Sequence, residues 1–339
     1  MKIQILCTLG PASLSAGVIE QLDQAGVDLF RINLSHTPLE ALEASIELVQ
    51  SVSAKPLCLD LEGAQVRCGV MVPGVALREG DRVRLTAEQV EGNAREITLW
   101  PRSVFAALRA GSLVTIDFDG AQLRVHDCGE QHAEAVVVDG GRVRSGKGVV
   151  VDPAPELPAL TDKDRAAIAM GTAIGIRHVA LSFASSAADV ELVRSLAPGA
   201  HLIAKIENGA GVRNMDGIID RSDSVLIDRG DLSREVPLEH VPFYQKAIVR
   251  RANRWSRPVY VATNLLESMV SNRNPTIAEA NDVANTLLDG VHGLVLAAET
   301  AIGRDPVGIV QMVSRMIRAF EWSNFATLLA RDQPEPVAL

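Results

Sequence analysis

Short apolar runs alternate along the chain with segments of helical periodicity. Eight runs rich in Val, Ile and Leu show little polar alternation, which is typical of parallel strands buried on both faces. These runs are residues 2–8, 28–34, 56–60, 178–183, 201–206, 224–227, 258–263 and 293–297. Helical spacing occupies most of the intervals, at 14–25, 38–53, 162–176, 186–197, 239–255, 276–289 and 305–321. Eight strands alternating with helices predict an α/β fold, a closed (β/α)₈ TIM barrel, with an open doubly wound sheet as the structural alternative.

Residues typical of helix starts precede several of these segments. Asp162 and Ser186 are candidate N-caps, and Pro38 and Pro306 suit a first turn.

One interval breaks the alternation of strands and helices. Residues 68–156 are rich in Val, Gly and Arg and contain short alternating pieces separated by turn signals, which predicts a small β-barrel domain inserted after the third strand. Active sites of such barrels lie on the side of the βα loops, so the insert is expected to act as a lid. The predicted domains are 1–67 (first part of the barrel), 68–156 (the insert), 157–325 (the rest of the barrel) and 326–339 (a tail).

Composition narrows the class of protein. The chain has 339 residues, of which 47% are hydrophobic, and its net charge is −9. No apolar run approaches the roughly 18 residues of a membrane helix, so we expect no membrane span. The acidic balance argues against a nucleic-acid partner, and the four cysteines form no C-x-x-C pair, so we expect a cytoplasmic protein.

Polar residues cluster at the predicted carboxyl ends of the strands, where the chemistry of a barrel is expected. A single residue of this kind, such as Ser182 or Glu299, is more often a helix N-cap, but several pointing into one mouth indicate a site. The set comprises Thr8, Asn33, Ser35, Asp60, Ser182, Lys205, Glu207, Asp231, Thr263 and Glu299.

Lys205 and Glu207 form the most informative pair in this set. Strand alternation points both side chains into the barrel, where a buried lysine and carboxylate are costly unless paired or bound to a metal. Asp231 is the natural second carboxylate, and two carboxylates suit Mg²⁺ or Mn²⁺. The Lys205 ammonium and Arg31 favour an anion, so the spacing predicts a divalent-metal enzyme acting on a small anionic substrate.

Ten motifs occur in the same order as in one enzyme family. They are CTLGPAS (7–13), RINLSH (31–36), LDLEGAQVR (59–67), KGV (147–149), LPALTDKD (157–164), KIEN (205–208), RGDL (229–232), VATNLLESM (261–269), PTIAEANDVANTLLDG (275–290) and ETAIGRDPV (299–307). In these motifs the sequence resembles the pyruvate kinase family over about residues 1–321.

The resemblance implies a role for each matched position. Glu207 and Asp231 match the divalent-metal ligands, Lys205 the lysine that stabilises the transferring phosphoryl group, and Arg31 the arginine on the substrate phosphate. Thr263 matches a threonine linked to proton delivery, and the amides of Gly230 and Asp231 match the groups that hold the substrate carboxylate. The implied monovalent-cation ligands are Asn33, Ser35, Asp60 and the carbonyl of Leu61, and the implied nucleotide-side residues are Arg67, His36 and Lys147. K⁺ is the second cofactor that the resemblance allows.

The sequence also departs from the family pattern. The family's Ala-Arg-Gly-Asp becomes Asp228-Arg229-Gly230-Asp231, which adds a charge beside the carboxylate-binding turn. Gln65 stands where the family usually has Glu in potassium-dependent members or Lys in independent ones. Only a short tail follows Glu321, so no C-terminal regulatory domain is expected, and a homodimer through barrel contacts is the assembly that the chain allows.

Three functions fit these residues. The first is transfer of phosphate from phosphoenolpyruvate to ADP, giving pyruvate and ATP. The second is a diverged paralogue that uses the same metal and enolate site for a lyase or aldolase reaction of phosphoenolpyruvate or pyruvate, or for a step in specialised metabolism. The third is a non-catalytic phosphoenolpyruvate-binding protein.

Overall fold

The structure is a computed structural model that describes residues 2–117 and 120–323. The described chain divides into two compact units. One comprises 2–63, 160–232 and 236–323, and the other comprises 64–117, 120–159 and 233–235. The tail predicted at 326–339 lies outside the described residues.

The first unit begins with three strands and two helices. The strands are β1 (Gln4–Leu9), β2 (Leu29–Asn33) and β3 (Leu57–Asp60), and the helices between them are α1 (Ala16–Ala25) and α2 (Leu39–Val52). Helix α1 ends at Gly26, whose φ of 106° is a left-handed conformation that glycine adopts without strain. Pro38 immediately precedes α2, as its predicted place near the first turn requires.

The second unit is a β structure. Its strands are β4 (Arg67–Cys68), β5 (Ala76–Leu77), β6 (Arg82–Thr86), β7 (Glu96–Trp100), β8 (Leu113–Ile116), β9 (Ala121–Cys128), β10 (His132–Asp139), β11 (Gly141–Arg142) and β12 (Val149–Asp152). Seven of them form a barrel-like sheet in the order β12-β8-β9-β10-β6-β7-β4, and β11 pairs with β5. Alternate residues of β9 and β10 are buried, which gives this unit a core of its own.

The first unit resumes after residue 159. Its remaining strands are β13 (His178–Leu181), β14 (His201–Ile206), β15 (Ser224–Asp228), β16 (Val259–Ala262) and β17 (Gly293–Leu296). Its remaining helices are α3 (Asp162–Ala173), α4 (Ala187–Leu196), α5 (Gly209–Arg213), α6 (Met215–Arg221), α7 (Arg229–Glu235), α8 (Val241–Arg254), α9 (Ile277–Leu288), α10 (Ala298–Ala301) and α11 (Pro306–Trp322). Short 3₁₀ turns lie at Arg102–Ala106 in the second unit and at Leu238–His240 and Glu267–Val270 in the first.

The eight predicted strands close into the predicted barrel. Their order is β1-β17-β16-β15-β14-β13-β3-β2, and every neighbouring pair is parallel. The (β/α)₈ prediction is therefore confirmed, and the open sheet is excluded. One class of helix was missed, because α5, α6, α7 and α10 have four to seven residues and are too short to show a periodic apolar face.

Two predicted helix caps have different outcomes. Ser186 caps α4, as predicted, with its side chain accepting a hydrogen bond from the Asp189 amide. The prediction for Asp162 was wrong by one residue. Thr161 is the cap of α3, because its hydroxyl accepts from the Asp164 amide while the Asp164 carboxylate accepts from the Thr161 amide.

The core of the barrel has two parts. Apolar residues on the outer face of the strands pack against the surrounding helices. A second cluster lies on the inner face and includes Leu6, Leu29, Ile203, Leu226 and Val295. Strand alternation therefore places the next inward-facing residues towards the carboxyl ends of the strands, where the functional side chains begin.

Candidate active site

Six side chains of the candidate site follow an inward-facing core position by two residues. Thr8 follows Leu6 and Arg31 follows Leu29, while Lys205 follows Ile203. Asp60, Ser182 and Asp228 likewise follow core positions of their strands. The polar layer is therefore a direct result of strand alternation in the closed barrel.

Lys205 is the centre of this polar layer. Its Nζ lies 3.1 Å from Glu207 Oε2 and 3.4 Å from Asp60 Oδ1. It also donates a hydrogen bond of 2.9 Å to Ser182 Oγ. Burial lowers the pKa of Lys205, but Asp60 and Glu207 raise it by more, so its pKa lies above the ordinary value. Lys205 is thus a fixed, fully charged ammonium.

Arg31 supplies a second buried cation. Its Nη1 donates to Asp60 Oδ2 at 2.9 Å, and its Nε donates to Thr8 Oγ1 at 2.8 Å. The side chains of Arg31 and Asp60 are only 3% and 1% exposed. Since Asp60 is shared by Arg31 and Lys205, one carboxylate holds both cations on the same side of the barrel mouth.

Glu207 is completely buried and only partly satisfied. Its Oε1 accepts a hydrogen bond of 2.8 Å from the Phe183 amide, whereas Oε2 accepts none from the described residues and faces only the Lys205 ammonium among them, at 3.1 Å. Burial, opposed by Lys205, raises the pKa of Glu207 to about 8. A buried carboxylate oxygen without a hydrogen bond is suited to bind a cation.

Three carboxylates converge at this point. One oxygen from each of Glu207, Asp228 and Asp231 lies within 4.8 Å of the other two. Carboxylate oxygens at such spacing are the hard ligands that Mg²⁺ and Mn²⁺ prefer. The donor set therefore fits the divalent ion that the sequence analysis predicted, with Asp228 as an additional acidic group.

Asp228 occupies a cradle of three donors. Its Oδ1 lies 3.0 Å from Thr263 Oγ1, 3.2 Å from the Gly230 amide and 3.4 Å from the Asp231 amide. The Gly230 amide also lies 2.8 Å from Thr263 Oγ1. The structure thus shows this donor set holding a carboxylate oxygen.

Thr263 is presented by a strained turn. Thr263 and Asn264 have φ values of 67° and 53°, which are unusual for a β-branched residue such as threonine. Arg229 holds the turn, since its Nη2 donates to the carbonyl oxygens of Thr263 at 2.8 Å and Asn264 at 2.9 Å. Asp282 in turn binds Arg229 Nη1 at 2.8 Å. This clamp was missed by the sequence analysis, because the two charged residues lie 53 positions apart.

The residues predicted for a monovalent cation lie at the ends of β2 and β3. The Leu34 amide donates to the Asp60 carbonyl at 2.9 Å, which joins the two ends, and Asn33 Oδ1 accepts from the Ser35 amide at 2.9 Å. The Leu61 carbonyl accepts a hydrogen bond of 2.6 Å from Ser182. The role of this group in binding K⁺ stays a prediction.

The three predicted nucleotide-side residues fall in both units. His36 is exposed on the barrel unit, and its amide donates to the Asn33 carbonyl at 3.1 Å. Arg67 and Lys147 belong to the second unit, where Arg67 donates to the Gly146 carbonyl at 3.0 Å and Lys147 lies 3.4 Å from Asp117. Their contact with a nucleotide also stays a prediction.

Glu299 and Ser182, the two strand-end residues that could have been simple helix N-caps, make different hydrogen bonds in the structure. Glu299 accepts hydrogen bonds from the amides of Ala297 and Leu266, at 2.8 and 3.3 Å, and so fixes the backbone. A helix N-cap was the commoner expectation for a residue such as Ser182. In the structure, its hydroxyl instead accepts a hydrogen bond from Lys205 and donates one to the Leu61 carbonyl. Its inward position, two residues after Ala180, was the signal for this role.

Comparison with known proteins agrees with this geometry. Residues 1–310 match the family model described as pyruvate kinase, barrel domain. The chain is 36% identical to the pyruvate kinase of Methylorubrum extorquens, with 99% of this chain and 73% of that protein covered. It is also 36% identical to the pyruvate kinases of Thermococcus litoralis and Mycobacterium tuberculosis, with 94% and 95% of this chain and 70% and 71% of those proteins covered.

The barrel, its charged site and these relatives define a phosphotransferase. The chain belongs to the pyruvate kinase family. In the part of the chain that the structure describes, no helix has the length and apolar character needed to cross a membrane.

Proposed function

We propose that this protein transfers the phosphoryl group of phosphoenolpyruvate to ADP, giving pyruvate and ATP, with Mg²⁺ or Mn²⁺ as cofactor. The observation that carries the proposal is the buried charge array, in which Lys205 and Arg31 share Asp60 beside the carboxylate of Glu207. Such an array is costly for folding alone, and it suits a small, multiply charged substrate.

The two cations bind and neutralise the phosphoryl group. Phosphoryl transfer depends mainly on positioning and on charge stabilisation, and both groups are held rigidly by buried partners. Arg31 is assigned to the substrate phosphate, and Lys205 to the oxygens of the group in transit. The P–O bond to the enol oxygen breaks while a β-phosphate oxygen of ADP forms the new bond.

Carboxylates and a hydroxyl complete the site. Glu207 and Asp231 would hold the divalent ion, which would supply positive charge to offset the negative charge of the substrate. The amides of Gly230 and Asp231 are assigned to the substrate carboxylate. Thr263 is assigned to the delivery of a proton to the enolate carbon, which would turn enolpyruvate into pyruvate.

The remaining assignments follow from family membership. Arg67, His36 and Lys147 would bind the nucleotide, and Asn33, Ser35, Asp60 and Leu61 would bind K⁺.

The test is pyruvate formation from phosphoenolpyruvate and ADP with Mg²⁺ or Mn²⁺, with and without K⁺. Turnover within the ordinary range for enzymes, about 1–10³ s⁻¹, is expected. Lys205→Met should abolish it, whereas Lys55→Met, which changes a lysine that is 37% exposed, should leave it unchanged. Absence of ADP-dependent pyruvate from the wild-type protein would overturn the proposal.

A further inference from the structure

Asp228 is an acidic group of the site to which the sequence analysis gave no role. It lies at the end of β15, its side chain points into the barrel, and the residue is 5% exposed. In the family pattern an alanine stands at this position. A methyl group there would leave the neighbouring donors without this partner.

The donors around Asp228 come from two separate elements. The Gly230 and Asp231 amides belong to α7, and the Thr263 hydroxyl belongs to the turn after β16. All three converge on the single oxygen Oδ1, at 3.0 to 3.4 Å. The convergence of a side chain from another strand distinguishes this arrangement from a simple helix cap.

A second observation concerns a buried carboxylate oxygen next to these donors. Glu207 Oε2 is fully buried and accepts no hydrogen bond from the described residues, and it faces the Lys205 ammonium at 3.1 Å. Carboxylate oxygens of Glu207 and Asp228 lie within 4.8 Å of each other. A substrate carboxylate that binds the Gly230 and Asp231 amides would therefore lie close to the negative charge of Asp228, because both amides already donate to its Oδ1.

We propose that Asp228 is a resident competitor for the substrate carboxylate, and that it sets how tightly this site binds carboxylate ligands. The inference rests on the proposed function, which assigns the Gly230 and Asp231 amides to that carboxylate. Two carboxylates cannot accept the same hydrogen bonds, so an incoming carboxylate binds only when the Asp228 side chain leaves the cradle. Displacement breaks its charge-assisted contacts and brings two negative groups close together, and both effects weaken binding.

The experiment compares the wild-type protein with Asp228→Ala and Asp228→Asn. The probe is oxalate, a small dianion with two carboxylates, titrated calorimetrically into each protein after saturation with Mn²⁺. Mn²⁺ affinity is measured separately without oxalate, so that an effect on the metal is not mistaken for an effect on the carboxylate. Neither ADP nor turnover enters the measurement.

Asp228→Ala removes the competing carboxylate and should tighten oxalate binding by at least about 10-fold, which corresponds to about 1.4 kcal/mol. The same variant should bind Mn²⁺ alone a few-fold more weakly, because one of three nearby carboxylates is lost. Asp228→Asn keeps an oxygen in the cradle but removes the charge, so its oxalate affinity should fall between those of the wild type and the alanine variant.

Asp305→Ala is the matched control. Asp305 caps α11 by accepting from the Gly308 amide, but it is exposed. This variant should lose stability as a cap variant does, with unchanged oxalate affinity.

Several results would overturn the proposal. The first is that Asp228→Ala binds oxalate no more tightly than the wild type does. The second is that neither protein binds oxalate. If the alanine variant does not fold, Asp228→Asn decides, since affinity equal to or below that of the wild type would contradict the competition. Tighter oxalate binding without any pyruvate formation by the wild type would instead refute the proposed reaction and leave the role of Asp228 intact.

Discussion

Replacing Lys205 by methionine tests the central ion-pair network. The substitution keeps the length of the side chain and removes the charge that faces Glu207 and Asp60. When both carboxyl groups are ionised, each contact, at separations of 3.1 and 3.4 Å, is worth about 5 kcal/mol of attraction at an effective dielectric constant of about 20. The cost of burying the charges offsets much of this, so the net loss in free energy of unfolding should be about 3–5 kcal/mol.

The loss is expected to fall mainly on Glu207. Asp60 retains Arg31 at 2.9 Å, whereas Glu207 loses its cation and remains fully buried. Burial already raises the pKa of Glu207 to about 8, and removal of Lys205 removes the group that opposes this shift. The carboxyl of the variant therefore takes up a proton on folding, and its stability should fall as pH rises through the raised pKa.

Urea unfolding at several pH values measures these effects. Lys205→Met/Glu207→Gln should recover about 2 kcal/mol relative to the sum of the two single losses, because neither partner is then left alone. Lys55→Met is the control, since its pair with Asp23 is 3.9 Å long and partly exposed, and it should cost about 0–1 kcal/mol. A loss below about 1 kcal/mol for Lys205→Met, or strict additivity in the double variant, would refute the reasoning.

Three further results are expected elsewhere in the molecule. Burial lowers the pKa values of His178 and His201, so the unfolded chain binds protons that the folded chain does not. The stability of the protein in urea should therefore decrease as pH falls below about 6.5, and a stability that does not change with pH in this range would contradict this. Cys128 is exposed, whereas the other three cysteines are buried. A thiol reagent should therefore modify one thiol in the native protein and four in urea. Rapid modification of more than one thiol in the native protein would contradict the fold. Asp282→Ala removes the carboxylate partner of Arg229, which holds the turn after β16. The variant should show a several-fold lower kcat with little change in KM for ADP. Unchanged steady-state kinetics would show that the clamp does not position this turn.

Much of the barrel could be predicted because its strands carry a strong local signal. Fully buried parallel strands appear as continuous apolar runs, and the polar residues that end them fall at one edge of the barrel. The pairing of Lys205 with Glu207 followed from the same alternation, and the structure places their charged atoms 3.1 Å apart.

Features that depend on distant contacts could not be predicted in this way. Nothing local shows that Asp228 would accept hydrogen bonds from Thr263, 35 residues away, or that Arg229 would pair with Asp282. The boundary of α3 was displaced by one residue because Thr161 and Asp162 are both good caps, and only the reciprocal hydrogen bonds with Asp164 decide between them.

The most direct test of the proposed reaction is to follow the phosphorus atom. Phosphoenolpyruvate, ADP and Mg²⁺ are incubated with the protein, and ³¹P NMR records where the phosphoryl group goes. The account predicts loss of the phosphoenolpyruvate signal with matching growth of the γ-phosphate signal of ATP, and neither change in Lys205→Met. Release of inorganic phosphate in place of ATP, or a phosphoenolpyruvate signal that persists in the presence of ADP and Mg²⁺, would contradict it.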